Sequence, residues 1–410
     1  MKFCLIGRSL GHSYSPKIHR HFGYTYDIVE LEIGELERFV KTTTYDGFNV
    51  TIPYKLEIMK YLDCLDRSAI QAGSVNTVIK SQSGWIGFNT DVKGLDYLVC
   101  DSNISLTNKK VIIFGSGGTS KTACTLASIK GASEIVVVSR NGINNYNNLK
   151  KHFDAEIIIN TTPVGMYPNN MERLVDISNF SKVSGVIDVI YNPTITDLIF
   201  QARSLNINCS SGLKMLVAQA KYARDLFLKN ESDNSLIENI YSIISMQTTN
   251  IVLIGMPSCG KSLIGRKLAS ILNREFVDTD TETETLMGIS IPDAFNKHGE
   301  AYFRESERYC IDLIGKRQGL VIATGGGAVF NSDCYKYLKQ NGVIVLLTRD
   351  LSKAVCDGRP LLRDKSSLVT LFNERFPKYQ LLSDTTISND LDPNKTIQNI
   401  MRWLNEYYNN

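Results

Sequence analysis

At 410 residues the chain is long enough for two or three domains, and 43% apolar residues are ample for packed cores. Charged residues make up an ordinary 21%, and the formal net charge is only +3. That balance gives no basis for nucleic acid or a membrane surface as a partner. Residues 3–6 form the first short apolar run, too short for a signal peptide. Further runs follow at 111–114, 134–138, 156–159, 185–189, 251–254, 320–323 and 342–347, most of them separated by amphipathic or small-residue stretches. Near-continuous apolar strands alternating with helices predict an α/β chain whose parallel sheets are covered on both faces. No repeat of solenoid period is visible, and no apolar stretch is long enough to span a bilayer. The nine cysteines are scattered, with no Cys-x-x-Cys pair or zinc spacing, and their odd number does not suit a disulfide framework. Reduced thiols and a cytoplasmic location are expected.

Two glycine-rich turns stand out. Gly115-Ser116-Gly117-Gly118-Thr119-Ser120 follows the run 111–114 and opens a helix, and a second strand pattern follows at 134–138. That order predicts the βαβ unit of a Rossmann dinucleotide-binding domain, although the sixth position is Ser rather than Gly or Ala. An NAD site would carry an acidic residue after the second strand, where it meets the ribose diol. Ser139-Arg140 stands there instead, and Arg140 can pair with a 2′-phosphate, so NADP is the expected cofactor. Residues 141–148 are Asn-rich and read as a solvated loop. Residues 229–234 read as a loop before a short helix with Leu236, Ile237, Ile240 and Ile244 on one face. Residues 247–250 then read as a polar linker.

The second turn is Gly255-Met256-Pro257-Ser258-Cys259-Gly260-Lys261-Ser262, between the run 251–254 and a helical pattern over 262–272. This is the spacing of a phosphate-binding loop. Its backbone N–H groups and the helix N-terminus face phosphate oxygens, Lys261 reaches the outer phosphates, and Ser262 can ligate Mg2+. ATP and Mg2+ are therefore expected. In Asp278-Thr279-Asp280 two carboxylates two apart at a strand end should point the same way, Asp278 toward the metal shell and Asp280 toward substrate hydroxyls.

The first part of the chain resembles the shikimate dehydrogenases. The carriers, in order, are Gly11-His12-Ser13-Tyr14-Ser15-Pro16-Lys17-Ile18-His19, Gly47-Phe48-Asn49-Val50-Thr51-Ile52-Pro53-Tyr54-Lys55, Ala72-Gly73-Ser74-Val75-Asn76-Thr77 and Gly87-Phe88-Asn89-Thr90-Asp91. The segments at 160–166, 188–193 and 211–220 complete the set, which covers residues 1 to about 246. The resemblance implies Lys55 and Asp91 as catalytic residues. It implies Ser13, Ser15, Thr51, Asn76, Asp91 and Gln219 as contacts of a polyhydroxy acid. It also places Tyr191 and Gly212 at the cofactor end, with Gly115, Ser116, Gly117, Gly118, Thr119, Ser139 and Arg140. The chemistry agrees: reducing a ketone by hydride leaves an alkoxide, and a positioned lysine stabilises and protonates it. His12, His19 and His21 are not read as a metal site, because no carboxylate stands at ligand spacing.

The second part resembles shikimate kinase over about 249–410. The carriers are the phosphate loop, Asp278-Thr279-Asp280, Phe303-Arg304-Glu305-Ser306-Glu307, Gly325-Gly326-Gly327-Ala328, Arg359-Pro360-Leu361-Leu362 and Arg375. The resemblance implies Arg304 and Arg375 on the substrate carboxylate and Glu307 holding Arg304. Asp280, Gly325, Gly326 and Gly327 would lie along the ring, and Arg359 would act from a lid. Lys261, Asp280 and Arg359 are the catalytic set. The segment 351–359 is short for such a lid, and no clear counterpart of the adenine-stacking arginine precedes it.

The expected organisation is a substrate-binding domain over 1–100, a Rossmann NADP domain over 101–212, helices completing it over 213–246, and a P-loop domain with a parallel sheet over 247–410. The expected partners are 3-dehydroshikimate and shikimate, with no nucleic acid and no membrane; a monomer and a homodimer are both compatible with the sequence. A quinate/shikimate dehydrogenase preferring NAD is disfavoured by Arg140. A nucleotide-sensing regulator is disfavoured by the retained Lys55, Asp91, Lys261, Asp280 and Arg304.

Overall fold

The first apolar run becomes β1 (Lys2–Gly7), the second strand of a six-stranded sheet with β2 (Thr25–Glu30), β3 (Gly47–Val50), β4 (Cys64–Leu65), β5 (Thr77–Ser81) and β6 (Gly84–Phe88). The computed structural model describes residues 1–11, 13–350, 365–390 and 392–409, and the side chains of all of these except 365–368 and 409. The sheet order is β2-β1-β3-β5-β6-β4. Here the all-parallel expectation fails, because β5 runs antiparallel to both β3 and β6. Two residues separate β5 from β6, and so short a connection closes only a hairpin. Burial in β6 alternates residue by residue, the signature of a sheet face half turned to solvent.

The next five strands are all parallel. They are β7 (Lys110–Phe114), β8 (Glu134–Val138), β9 (Ile157–Asn160), β10 (Gly185–Asp188) and β11 (Asn208–Ser211), in the order β11-β10-β9-β7-β8. The chain leaves β7 for β8 on one side and returns to β9 on the other. That reversal makes the crevice beyond the strand ends where dinucleotides bind.

The last sheet is also parallel: β12 (Asn250–Ile254), β13 (Phe276–Asp278), β14 (Val321–Ala323), β15 (Gly342–Thr348) and β16 (Thr385–Ser388), ordered β13-β14-β12-β15-β16. Val252 and Ile254 of β12 pack with Ile311 and Ile314 on one face, while Ile251 and Leu253 pack with Ile264, Leu268 and Ile400 on the other. Burial on both faces explains why the strand reads as a continuous apolar run.

Two compact units divide the chain, Met1–Ile244 and Ser245–Asn410. The expected amphipathic helix is present as Ser235–Thr248, and Ile237, Ile240 and Ile244 are buried with Ile18, Leu213 and Val217. The linker expected at 247–250 is not a loop. The helix continues through Thr248 and β12 opens at Asn250. The polar residues of this stretch are not all solvated: Thr248 and Asn250 are buried, 4% and 0% exposed, while Gln247 is exposed. Arg274 donates to the carbonyls of Thr249, at 2.8 Å, and of Met246, satisfying acceptors that a helix end leaves open. Among the described residues no helix is long and apolar enough to cross a membrane.

Candidate active sites

In the first unit the sequence-remote residues 55 and 91 meet. Lys55 Nζ donates to Asp91 Oδ2 at 2.6 Å, and the two side chains are only 14% and 8% exposed. Asp91 opens the helix Asp91–Asp101, while Lys55 follows β3. Asn76 anchors the floor beside them. Its Nδ2 donates to Thr90 Oγ1 at 2.9 Å and to Gln219 Oε1 at 3.3 Å, and its Oδ1 accepts from Thr90 N at 2.7 Å. Gln219 comes from the helix Leu213–Leu228, which packs closely on the Asp91 helix: a Cβ on Gly94 would sit 2.9 Å from Gln219 Cβ. Ser15 is buried at the start of the helix Ser15–His19, and its N–H donates to Ser13 Oγ at 3.3 Å. Thr51 N is fixed by Ile6 O at 3.0 Å.

The Gly-rich turn closes on this constellation. A Cβ on Gly118 would lie 3.4 Å from Lys55 Cβ, so the start of the helix Gly118–Ile129 abuts the lysine. Gly115 has φ +116, and Ser120 Oγ returns to its carbonyl at 2.8 Å. Thr119 lies in the same helical turn, and Ser116 lines the groove beside it. At the other end of the crevice Tyr191 packs on Tyr14, ring centroids 4.9 Å apart, and Gly212 approaches the Val189 carbonyl too closely for any side chain. Arg140 is exposed just past β8. The Asn-rich stretch after it is not simply solvated. Asn148 Nδ2 donates to Ile143 O at 2.8 Å, Asn145 N to Asn148 Oδ1 at 2.8 Å, and Ser139 N to Asn144 O at 3.1 Å. Asparagine side chains here replace missing backbone partners, which composition alone does not reveal.

One polar layer escaped notice in the sequence. Asn49 lies within the apolar strand β3, 5% exposed, and its Nδ2 donates to Asn76 O at 3.2 Å and Thr77 Oγ1 at 3.0 Å. Tyr26 OH donates to Asn49 Oδ1 at 2.7 Å. A polar residue inside a short apolar strand was the available signal.

In the second unit the phosphate loop bends at Gly255 (φ +141), Ser258 (φ +67) and Gly260 (φ +95) before the helix Lys261–Leu272. Lys261 Nζ donates to Gly255 O at 3.0 Å and Met256 O at 3.1 Å, holding its charge over the loop. Pro257 sits 3.6 Å from a Cβ placed on Gly326, and Cys259 is buried. Ser262 Oγ donates to Asp278 Oδ2 at 2.6 Å. This hydroxyl–carboxylate pair at a phosphate-binding helix start fits Mg2+, which keeps waters and phosphate oxygens as its remaining ligands. Among the described residues no group of three His, Cys, Asp or Glu side chains is placed to hold a metal by itself.

The two aspartates do not share a strand face. β13 ends at Asp278, which caps the helix Thr279–Met287 by accepting from Asp280 N at 3.2 Å, so Asp280 belongs to the first helical turn. A helix start turns the chain where strand alternation was expected. Asp280 still reaches the glycine loop, against Gly325. A Cβ on Gly327 would lie 3.2 Å from Arg304 Nη1, and one on Gly326 3.4 Å from Arg375 Nη1. Arg304 pairs with Glu307 at 2.8 Å and Glu300 at 3.1 Å. Burial pushes the Glu307 carboxyl up despite Arg304, with Asp280 and Glu300 adding to the rise. Arg375 Nη1 donates to Gly326 O at 3.1 Å, and Tyr379 OH donates to the same carbonyl. Arg359 and the segment 351–364 lie outside the described residues.

Comparison with known proteins finds a match for each part. The family model for the shikimate dehydrogenase substrate binding domain matches residues 5–78, and that for shikimate kinase matches residues 257–405. The shikimate dehydrogenase (NADP(+)) of Clostridium beijerinckii is 32% identical over 259 residues, covering 58% of this chain and 96% of that protein. The crystal structure of shikimate dehydrogenase 1 from Peptoclostridium difficile aligns with a TM-score of 0.56 and 34% identity over 60% of this chain and 98% of its own. A chorismate mutase/shikimate 5-dehydrogenase fusion protein from Clostridium acetobutylicum aligns with a TM-score of 0.57 and 32% identity, over 59% and 96%.

Proposed function

The chain belongs to the shikimate dehydrogenase family through its first unit and carries a shikimate kinase domain in its second, and we propose that the two clefts catalyse consecutive steps. The first reduces 3-dehydroshikimate to shikimate with NADPH. The second transfers a phosphoryl group from ATP to the 3-hydroxyl of shikimate. The observation behind this reading is that one chain twice sets a nucleotide-binding turn against polar groups suited to a hydroxylated acid, Lys55 and Asp91 beside Gly118, then Asp280, Arg304 and Arg375 around Gly325–Gly327. Purified full-length protein given 3-dehydroshikimate, NADPH and Mg-ATP should form shikimate 3-phosphate. Failure to consume NADPH, or accumulation of shikimate with no phosphoester, refutes the corresponding half.

In the first cleft, NADPH supplies the hydride. Lys55 donates the proton to the forming alkoxide, and Asp91 holds the ammonium in place and accepts from a substrate hydroxyl. Asn76, Gln219 and Thr51 pair the hydroxyls, and Ser13 and Ser15 take the carboxylate. A site built to pair hydroxyls rejects analogues that lack them. Gly115, Ser116, Gly117, Gly118 and Thr119 cradle the pyrophosphate, Ser139 and Arg140 meet the adenosine end, and Tyr191 and Gly212 border the nicotinamide. Arg140→Ala should narrow the preference for NADPH over NADH by about tenfold or more, the worth of a charge-assisted hydrogen bond. The ratio of kcat/KM values for the two cofactors measures it, and an unchanged ratio removes Arg140 from the 2′-phosphate site.

In the second cleft, ATP supplies the phosphoryl group, with Mg2+ offsetting phosphate charge. Ser262 and Asp278 are the metal-side residues, while the loop from Gly255 to Gly260 and Lys261 hold the phosphates. Arg304 and Arg375 bind the shikimate carboxylate, Glu307 steadies Arg304, and Asp280 orients the attacking hydroxyl. Arg359 remains a lid residue by resemblance alone. Arg304→Ala should weaken shikimate binding by about 2–5 kcal/mol, the usual effect of removing one partner of a buried charge pair. ATP affinity should hardly change. Calorimetric titration with each ligand separates the two, and a larger loss for ATP would reverse the assignment.

A further inference from the structure

The motifs at 160–166 and 188–193 are only partly used by the reductase reading, which draws on Tyr191 alone. The second opens with Asp188, the last residue of β10. It is fully buried, and it makes no ion pair among the described residues. Its carboxylate instead gathers three donors. Asn160 Nδ2, at the end of β9, reaches Oδ1 at 3.0 Å, and Ile190 N reaches the same oxygen at 3.1 Å. Thr196 Oγ1, the N-cap of the helix Asp197–Ser204, reaches Oδ2 at 2.7 Å. Asn160 Oδ1 then accepts from Thr162 N at 2.9 Å and Thr162 Oγ1 at 2.7 Å, while Ile190 O accepts from Gly212 N at 2.9 Å. One carboxylate thus holds the loop after β9 and the loop after β10.

The topology says what those loops face. Adenosine follows the first two strands of a dinucleotide fold, here β7 and β8, and the rest of the cofactor crosses the switch point toward β9 and β10. We propose that Asp188 is a positioning residue for the nicotinamide half of the cofactor site, fixing both loops that border the ring. The inference rests on the reductase reading of the first unit.

All three partners donate, so the arrangement suits a carboxylate. A carboxylic acid brings a hydrogen that neither Asn160 Nδ2 nor Ile190 N can accept, so it can be placed only on Thr196 Oγ1, whose own hydrogen must then turn away from Asp188, and the charge-assisted character of all three bonds is lost. Burial raises the Asp188 carboxyl from 3.8 to about 7, against the pull of Thr196, Ile190 and Asn160. No other charge contributes: Asp197, on the adjoining helix, is held by Arg173 at 3.0 Å, and Tyr191, on the loop, packs on Tyr14. Because the folded pKa is raised, the folded unit retains this proton above 3.8, and the ionised hub forms only as pH passes about 7.

Steady-state kinetics of the full chain test this. KM for NADPH should fall as pH rises through about 7 in the unmodified protein. Asp188→Asn should raise KM for NADPH by about tenfold on the alkaline side and abolish that pH dependence. KM for 3-dehydroshikimate should stay the same, and kinase turnover of the same sample calibrates protein amount. Thr196→Val, which removes one donor, should act in the same direction more weakly, with Thr196→Ser restoring the original value. An unchanged KM for NADPH in Asp188→Asn overturns the proposal, as does a parallel rise in both KM values with a lowered Tm. If Asp188→Asn does not fold, Thr196→Val is judged by the same criteria. An unmodified protein that does not oxidise NADPH would instead refute the reductase reading.

Discussion

Replacing Lys55 by Ala should slow reduction of 3-dehydroshikimate by about 10²–10⁴, the usual contribution of a positioned proton donor. The geometry makes the loss specific. Lys55 Nζ lies 2.6 Å from Asp91 Oδ2, and the chain at Gly118 closes against its stem. Among the described residues no other ammonium pairs with Asp91. The loss should appear in kcat, because Asn76, Gln219, Ser13 and Ser15 still hold the acid. Asp91, 8% exposed at its side chain, is left without its cation, so a lowered Tm of the first unit should accompany the kinetic effect. Kinase turnover should be untouched. The prediction fails if kcat of the reductase survives, or if phosphorylation of added shikimate disappears from protein that remains folded.

Much of this was legible from the sequence because it is local. Both glycine-rich turns lie within a few residues of a strand and a helix, and the structure builds strand, turn and helix there. The helix over 235–248 carried its buried face in plain periodicity. Contacts made by chain reversal were legible only through the family resemblances, which put Lys55 with Asp91 and Arg304 with Gly325–Gly327, and not from local pattern. Nothing around Gly327 announces that Arg304 will lie beside it, and nothing in 188–196 shows one buried carboxylate tying two loops together. Polarity also misled where polar groups are buried. Residues 247–250 read as a linker, yet they end a helix and begin a strand. Residues 141–148 read as a solvated loop, and they form an exposed to half-exposed loop in which asparagine side chains also bond the backbone. Composition reports affinity for water, but not whether a protein group has taken its place. The Asp278–Asp280 spacing misled for a related reason: strand alternation was assumed one residue beyond the strand.

Lys261→Met should lower kinase turnover by about 10²–10³, the scale for removing one preorganised donor from the charge that develops in a transition state. Methionine keeps most of the volume and removes the charge. Lys261 now donates to Gly255 O at 3.0 Å and Met256 O at 3.1 Å, so its ammonium is carried by the loop that wraps the phosphates. The loop itself should persist although the bond to Gly255 O is lost, since Asn389 Nδ2 donates to Cys259 O at 2.8 Å and the positive φ at Gly255 and Gly260 is a glycine conformation that needs no lysine. Shikimate affinity should persist as well, because Asp280, Arg304 and Arg375 face Gly325–Gly327 rather than Lys261. Reductase activity should equal that of the unmodified chain. Paired with Lys55→Ala, the variant gives a double dissociation: each substitution silences one reaction and spares the other. A single substitution that silences both, in protein whose two units still unfold cooperatively, would mean that the reactions share a site, and the assignment of separate clefts would have to be abandoned.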